Sequence, residues 1–343
     1  MARRRVEYVE VQATSALNRV QAPGFPFRWS LNPYRGCTHG CSYCYARRTH
    51  TFLDLSAGDQ FSRVILVKRN LPELLERELA KRSWRREPVA VGTATDPYQP
   101  AEGRYRITRR ILELLLRYRT PADVVTKSPL ILRDVDLLAE LHRAAGVQVS
   151  ISLATLDRGL VRALEPGSPP PAARLQALRR LSELGIPTGI LVAPVLPGLT
   201  DGLASLAAVV RAAQQAGAAW LGHQVLRLCE GAREVYLERL EEILPELAAS
   251  TRKLYRGQDL APLRYRRVVA RRLKAVLHRY PIPGEPPALN PPAPPPQAGE
   301  PRQVGQGPAL AGRSSPGEPL FPAGERAEPG PVQTLLAWAA PTN

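Results

Sequence analysis

The sequence predicts an α/β protein: a partial (β/α)6 barrel of parallel strands with outer helices, followed by a Pro-rich tail. Three observations predict it. Short apolar, β-branched runs alternate with longer segments whose apolar residues recur at helical spacing. The alternation repeats as six strand–helix units, and repeated βα units build a parallel sheet with helices outside. Unusual polar residues fall just after the strands, where a barrel of this kind gathers its chemistry. Six units leave the barrel open where eight would close it.

In chain order, the first strand is Arg28-Trp29-Ser30-Leu31, ahead of a cysteine-rich loop. Val89-Ala90-Val91-Gly92-Thr93 is the second, followed by a helix over 108–118 with Ile111, Leu112, Leu115 and Leu116 on one face. Asp123-Val124-Val125-Thr126 precedes a helix over 134–144. The run Val147–Leu153 precedes a helix over 172–184, and Thr188–Val192 one over 202–215. The last strand spans 219–226, with a helix over 232–247. At the strand ends stand Thr95 to Glu102, Lys127-Ser128, Ser152 and Thr155, Pro194, and Arg227 with Cys229.

Composition divides the 343 residues into an N-terminal extension (1–27), the barrel with its C-terminal helices (28–280) and a disordered tail (281–343). The tail holds 17 of the 35 prolines and cannot bury a core. Its closing run, 332–340, has the apolar content to dock as a short helix or to fray. No apolar run reaches the roughly 18 residues of a membrane span. The basic start has no apolar stretch behind it, as a secretory signal would. A cytoplasmic protein with no membrane partner is expected. The net charge is +16; the tail carries −2, leaving +18 for the first 280 residues. Such a basic body fits a polyanionic partner such as nucleic acid, and it also fits an arginine-rich composition alone.

Cys37, Cys41 and Cys44 lie in Asn32-Pro33-Tyr34-Arg35-Gly36-Cys37-Thr38-His39-Gly40-Cys41-Ser42-Tyr43-Cys44-Tyr45. On a helix this spacing would make one buried face, but Pro33, Gly36 and Gly40 mark an irregular loop. Three thiolates suit an iron–sulfur cluster and leave one iron of a [4Fe–4S] cluster open. Zinc would need a fourth ligand, which His39 or His50 could supply. The loop Thr95-Asp96-Pro97-Tyr98-Gln99-Pro100-Ala101-Glu102 is dense in hydrogen-bonding groups, so Asp96, Tyr98, Gln99 and Glu102 are candidate substrate or ribose contacts.

The C-x3-C-x2-C run with an aromatic residue before its third cysteine resembles the signature of the radical S-adenosylmethionine superfamily. The string Asn32–Tyr45 is similar to the branch related to spore photoproduct lyase, together with Gly92–Asp96, Thr126-Lys127-Ser128 and Leu164–Pro169 leading to Arg174-Leu175. The resemblance runs from about Trp29 to Arg256. It implies a [4Fe–4S] cluster on Cys37, Cys41 and Cys44, whose fourth iron is chelated by S-adenosylmethionine (SAM). It also implies reductive cleavage of SAM to a 5′-deoxyadenosyl radical, with an electron donor such as flavodoxin or ferredoxin. Tyr43, Thr95, Lys127, Ser150, Ser152 and Arg174 would contact the cofactor, with Lys127 a partner for its carboxylate. Tyr43 and Tyr45 would flank the reacting atoms, with Asp96 and Glu102 in catalytic positions. Arg174 could equally be a surface helix residue, and Ser150 and Ser152 share a strand face that could simply line the barrel.

The chain departs from that branch at one point. The lyase carries a hydrogen-donor cysteine where this sequence reads Gly92-Thr93-Ala94-Thr95-Asp96. Threonine cannot replace it, so a radical reaction on another substrate is expected. Cys229 could donate from the sixth strand or simply pack. For a polyanion the candidate surfaces are Lys81-Arg82-Ser83-Trp84-Arg85-Arg86, where Trp84 could stack on a base, and the cations of the last helix from Arg264 to Arg279. The contrasting reading is a non-enzymatic, nucleic-acid-binding protein with a structural zinc or iron–sulfur site.

Overall fold

A computed structural model describes residues 5–20 and 27–283, with 286, 288 and 289. The strands are β1 (Glu7–Val11), β2 (Asn18–Arg19), β3 (Trp29–Leu31), β4 (Tyr34–Arg35), β5 (Val64–Lys68), β6 (Val89–Val91), β7 (Ala122–Thr126), β8 (Val147–Ser152), β9 (Thr188–Val195) and β10 (Leu221–Val225). Six of them, β3 and β6 to β10, lie side by side in chain order and pair in parallel. β2 adds an antiparallel edge beside β3. β2 and β10 end the sheet at opposite edges without meeting, which makes it the open, partial barrel the alternation predicts.

Helices cover the outer face. Alternation sends Val124, Val149, Ile151 and Ile190 outward, where they pack with Ile111, Leu112, Leu138 and Leu178 in one continuous core. Those side chains come from the helices Ile107–Arg117, Val135–Ala144 and Pro171–Glu183. Asp157 starts Arg158–Leu164 by accepting the N–H groups of Gly159 and Leu160 at 2.7 and 3.0 Å. The helix expected over 232–247 stops at Ile243, because Leu244, the residue before Pro245, leaves the helical conformation. A second helix, Pro245–Tyr255, then begins.

One part of the architecture departs from the expectation. Within the N-terminal extension, β1 pairs in parallel with β5, which also pairs antiparallel with β4. This second sheet holds the start of the cysteine loop against the barrel. Its strands are short and lie far apart in sequence, so period-2 alternation alone gives a faint signal. Of the tail, only 281–283, 286, 288 and 289 are among the described residues; the segment 332–340 lies outside them.

Candidate active site

The cysteine loop leaves β4 through Gly36, whose φ of +84° favours glycine. A Cβ there would stand 2.9 Å from the carbonyl oxygens of Phe61 and Val64. Three groups pin the loop from the strand ends. Thr95 Oγ1 and Gln99 Nε2 both donate to the Gly36 carbonyl, at 2.6 and 3.0 Å. Gln99 Oε1 accepts the Thr38 N–H at 3.0 Å. From the other side the segment after helix Arg158–Leu164 presses on the loop: Ser42 N–H donates to the Leu164 carbonyl at 2.8 Å, and Gly167 N–H to that of His39 at 3.0 Å. Any Cβ at Gly167 would overlap the Thr38 carbonyl.

That clamp delivers Glu165, which the sequence reading did not single out. Glu165 is 2% exposed and is the hub of the site. Lys127, directly after β7, donates to its Oε1 at 2.8 Å. Arg174 pairs with Oε2, which also accepts from Ser168 Oγ at 2.8 Å. The Tyr43 hydroxyl donates to Oε1 and accepts from Lys127 Nζ at 2.9 Å. The Lys127 ammonium lies 5.2 Å from the centroid of the Tyr43 ring, within cation–π range. Burial raises the Glu165 carboxyl, but Lys127 and Arg174 outweigh it and hold the group well below the usual carboxylate range. Arg174, at 0% exposure, is an interior residue and not a surface one. Two cations face one carboxylate here, so the cluster carries one net positive charge.

The donor set of the cysteine loop fits a soft metal centre. Cys37 and Cys41 are buried, Cys44 is half-buried, and all three are free thiols. Burial pushes each thiol up, Cys41 to about 11, and neighbouring cysteines push further in the same direction. Three thiolates here therefore need a cation to bind. Arg47 supplies part of that charge. Its buried guanidinium donates only to carbonyls, those of Cys41 (2.8 Å), Ala57 (2.6 Å), Gly58 (2.8 Å) and Gly40 (2.9 Å). Among the described residues no three His, Cys, Asp or Glu side chains are already gathered into a coordination sphere. The candidate zinc ligands have other partners: His39 Nδ1 lies 3.3 Å from Asp96, and His50 Nε2 lies 3.1 Å from the Val64 carbonyl.

The family description for the radical SAM superfamily matches residues 31–208, which includes the cysteine loop and four of the six parallel strands, β6 to β9. The chain belongs to the radical SAM superfamily. An uncharacterized protein of Mycobacterium tuberculosis is 40% identical over 291 residues, 84% of each chain. An uncharacterized protein of Methanocaldococcus jannaschii is 29% identical over 197 residues, covering 57% of this chain and 71% of that one. Spore photoproduct lyase complexed with dinucleoside spore photoproduct superposes with a TM-score of 0.61 at 17% identity, covering 80% of this chain and 79% of the lyase. A mutant of the lyase with bound AdoMet and the same dinucleoside gives 0.60 at 16%, covering 79% and 78%. These superpositions show a shared fold.

In this radical SAM enzyme several expected contacts are already committed elsewhere. Asp96 accepts from Thr126 Oγ1 (2.6 Å) and from the backbone N–H groups of Tyr98 (2.9 Å) and Lys127 (2.7 Å). It ties two strand ends together and thereby aims Lys127. Glu102 is sealed in the core, accepting from Tyr34 (2.5 Å), Thr108 N–H (2.8 Å) and Arg133 (2.7 Å). That placement gives Glu102 a packing and ion-pairing role in place of the expected catalytic one. The Tyr98 hydroxyl is likewise buried. Thr95 donates to the loop, and Ser152 Oγ donates to the Ala193 carbonyl at 3.2 Å while its own carbonyl accepts from Arg174. Ser150 is half-buried on the inner face of the sheet. Cys229 donates its thiol to the Tyr45 carbonyl at 3.6 Å, which places it beside the cysteine loop. Trp84 is not free to stack on a base: its indole N–H donates to Thr120 at 3.0 Å and its ring packs edge-on against Trp29.

Proposed function

We propose that this enzyme binds a [4Fe–4S] cluster on Cys37, Cys41 and Cys44 and cleaves SAM reductively, turning the resulting radical on a nucleic-acid substrate. The observation that carries the reading is the Tyr43–Lys127–Glu165–Arg174 cluster. Its net positive charge, next to the cysteine loop, suits the single carboxylate of SAM. When bound, cluster and SAM together supply one-electron reduction of the sulfonium and a 5′-deoxyadenosyl radical.

The protein's own part is to hold and to exclude. Lys127 would orient the SAM carboxylate, its ammonium held by Glu165, which the buried Arg174 fixes in turn. Asp96 positions Lys127 through the backbone, and Thr95 with Gln99 sets the height of the cysteine loop. Ser150 remains for a polar contact from the inner face. Tyr43 keeps its proton, because burial and the Glu165 carboxylate both push its hydroxyl well above the usual range. Tyr45 and Cys229, beside Cys44, are the nearest candidates to pass a hydrogen atom.

Nucleic acid is favoured by the +16 net charge. On the helix Leu263–Arg279, Arg264, Arg267, Arg271, Lys274 and Arg279 face solvent while Val269, Leu273 and Val276 are buried. The dinucleoside bound by the lyase of the same fold is in keeping with this reading. We further propose a flavodoxin- or ferredoxin-like electron donor and a cytoplasmic setting. Among the described residues no helix is long and apolar enough to cross a membrane.

Anaerobic reconstitution tests the core of the reading. About four irons and four sulfides per chain are expected, with 5′-deoxyadenosine formed on adding dithionite and SAM. Alanine at Cys37, Cys41 or Cys44 should abolish it. One bound zinc and no SAM cleavage would refute the proposal in favour of a structural metal site.

A further inference from the structure

The two faces of the second sheet differ in character. In the register of β1, β5 and β4, Tyr8, Ile65, Val67 and Tyr34 share one face and pack into the main core. Val9, Val11, Val64, Leu66, Lys68 and Arg35 share the other. Its four aliphatic side chains are half-buried, yet none of them packs against the buried core of the described residues.

Two cations stand together on that face. Arg35 lies directly opposite Leu66, which makes Lys68 its diagonal neighbour on β5. Diagonal neighbours are about 7–8 Å apart, a gap that long side chains close. Both residues are half-buried, and among the described residues neither has a hydrogen bond or an ion pair. Neither has a sealed nitrogen, so both charged ends reach solvent. Burial draws the Arg35 guanidinium down, and burial together with Arg35 draws the Lys68 ammonium down to about 8. No carboxylate offsets either shift. Glu7 stands at the far corner of the face, exposed and opposite Val64. His50, near Arg35, is held low by burial and adds no charge at neutral pH. Two like charges, partly desolvated and side by side, call for an anion.

We propose that this face docks a single-stranded nucleic acid, with a backbone phosphate held between Arg35 and Lys68 and bases laid on Val9, Val11 and Leu66. The inference rests on the nucleic-acid reading above and adds a second surface to the helix Leu263–Arg279. The chain itself ties this surface to the site, because Gly36 and Cys37 follow Arg35 directly. Phosphate contacts supply the sequence-independent part of nucleic-acid affinity. Exposed sheet faces are recurrent platforms for unstacked bases. This face has no aromatic side chain to stack on a base, so the phosphate is the group recognised and mixed sequences are held about equally. A duplex hides its bases and leaves the aliphatic floor uncovered.

Anisotropy of a labelled single-stranded DNA oligonucleotide of mixed sequence, titrated with the anaerobically reconstituted full chain, tests this. Lys68→Gln and Arg35→Gln should each weaken binding by about tenfold or more, the factor for a hydrogen bond to a charged group. Each should also lower the slope of log K against log salt by about 0.7. Val9→Glu brings a carboxylate to the same face without removing either cation; it should weaken binding too, and it serves if Arg35→Gln disturbs the cysteine loop. Thermal melts and iron content check folding and cluster loading. As a second readout, acetic anhydride at pH 8 should acetylate Lys68 readily, and bound oligonucleotide should protect it. Unchanged affinity and slope in folded Lys68→Gln, or acetylation of Lys68 that bound oligonucleotide does not slow, would overturn the surface. So would equal affinity for a duplex of the same sequence, or protection of Lys68 by flavodoxin but not by the oligonucleotide, which assigns the face to an acidic electron donor. Failure of the underlying reading looks different: wild-type protein would then bind no oligonucleotide at all.

Discussion

Replacing Glu165 by Gln removes one charge from the most tightly coupled cluster in the site while keeping its shape and one acceptor. The carboxylate meets Lys127 at 2.8 Å and is paired with Arg174, with Tyr43 and Ser168 completing its shell. With Gln, two cations remain in a buried pocket with no acid between them. Breaking a buried ion pair in this way costs about 3–5 kcal/mol, because the partner is left uncompensated. At roughly 2–4 °C per kcal/mol for a domain of this size, the melting temperature should fall by about 6–20 °C. The pH dependence has a fixed sign. Glu165 is held below its unfolded value near 4.3, so its contribution is present above that pH and fades as pH drops toward the folded value. The gap between wild type and Glu165→Gln should therefore be flat from about pH 5 to 8 and close in acid. SAM adds a second readout. Glu165 also fixes the Lys127 ammonium, so SAM should raise the melting temperature of the variant by less than it raises that of the wild type. A variant melting within about 1 °C of wild type at pH 7 would refute the assignment of Glu165 as the charge hub.

Three further outcomes follow from named contacts. Gly167→Ala should destabilise the protein and lower its iron content after reconstitution, because the new methyl overlaps the Thr38 carbonyl beside Cys37; wild-type iron loading would contradict the clamp. Asp123 titrates near 6 when folded against about 3.9 unfolded, so it favours folding below pH 4 and progressively loses that contribution as pH rises through 6. Denaturant unfolding should show a stability loss of about 3 kcal/mol across that window, absent in Asp123→Asn. Neutralising Arg267, Arg271 and Lys274 should lower the slope of log K against log salt for single-stranded DNA by about 0.7 per lost phosphate contact. Trp84→Ala should destabilise the protein and leave that slope unchanged.

The order of the barrel strands was legible because each βα unit writes its own period: Val89–Val91 and Thr188–Val195 read as strands, and the helix Ile107–Arg117 reads as a stripe of Ile111, Leu112 and Leu115. β1 was not legible, since five residues pair with a strand more than fifty positions away, and local pattern carries no information about a distant partner. The site divides the same way. Cys37, Cys41 and Cys44 lie within eight residues, so spacing alone marks them as one candidate metal-binding group, with iron–sulfur and zinc both open until the family resemblance is added. Glu102 and Asp96 looked catalytic because a carboxylate in a post-strand loop reads the same whether it faces a cleft or a core. Only the fold shows that Arg133 and Thr108 consume one, and Thr126 with two backbone N–H groups the other.

What the sequence determined by itself is whatever short-range chemistry encodes: the alternation that makes a parallel barrel, the glycines that shape the cysteine loop, and three thiols with no fourth. The tertiary structure decided what depends on distance through space. Glu165, Lys127 and Arg174 come from three separate segments, and the charge of their pocket exists only once the clamp around Gly167 closes them together. The inward pairing of Asp123 with Gln148 is likewise a matter of register between strands, because a slip of one residue would turn either side chain into the outer core.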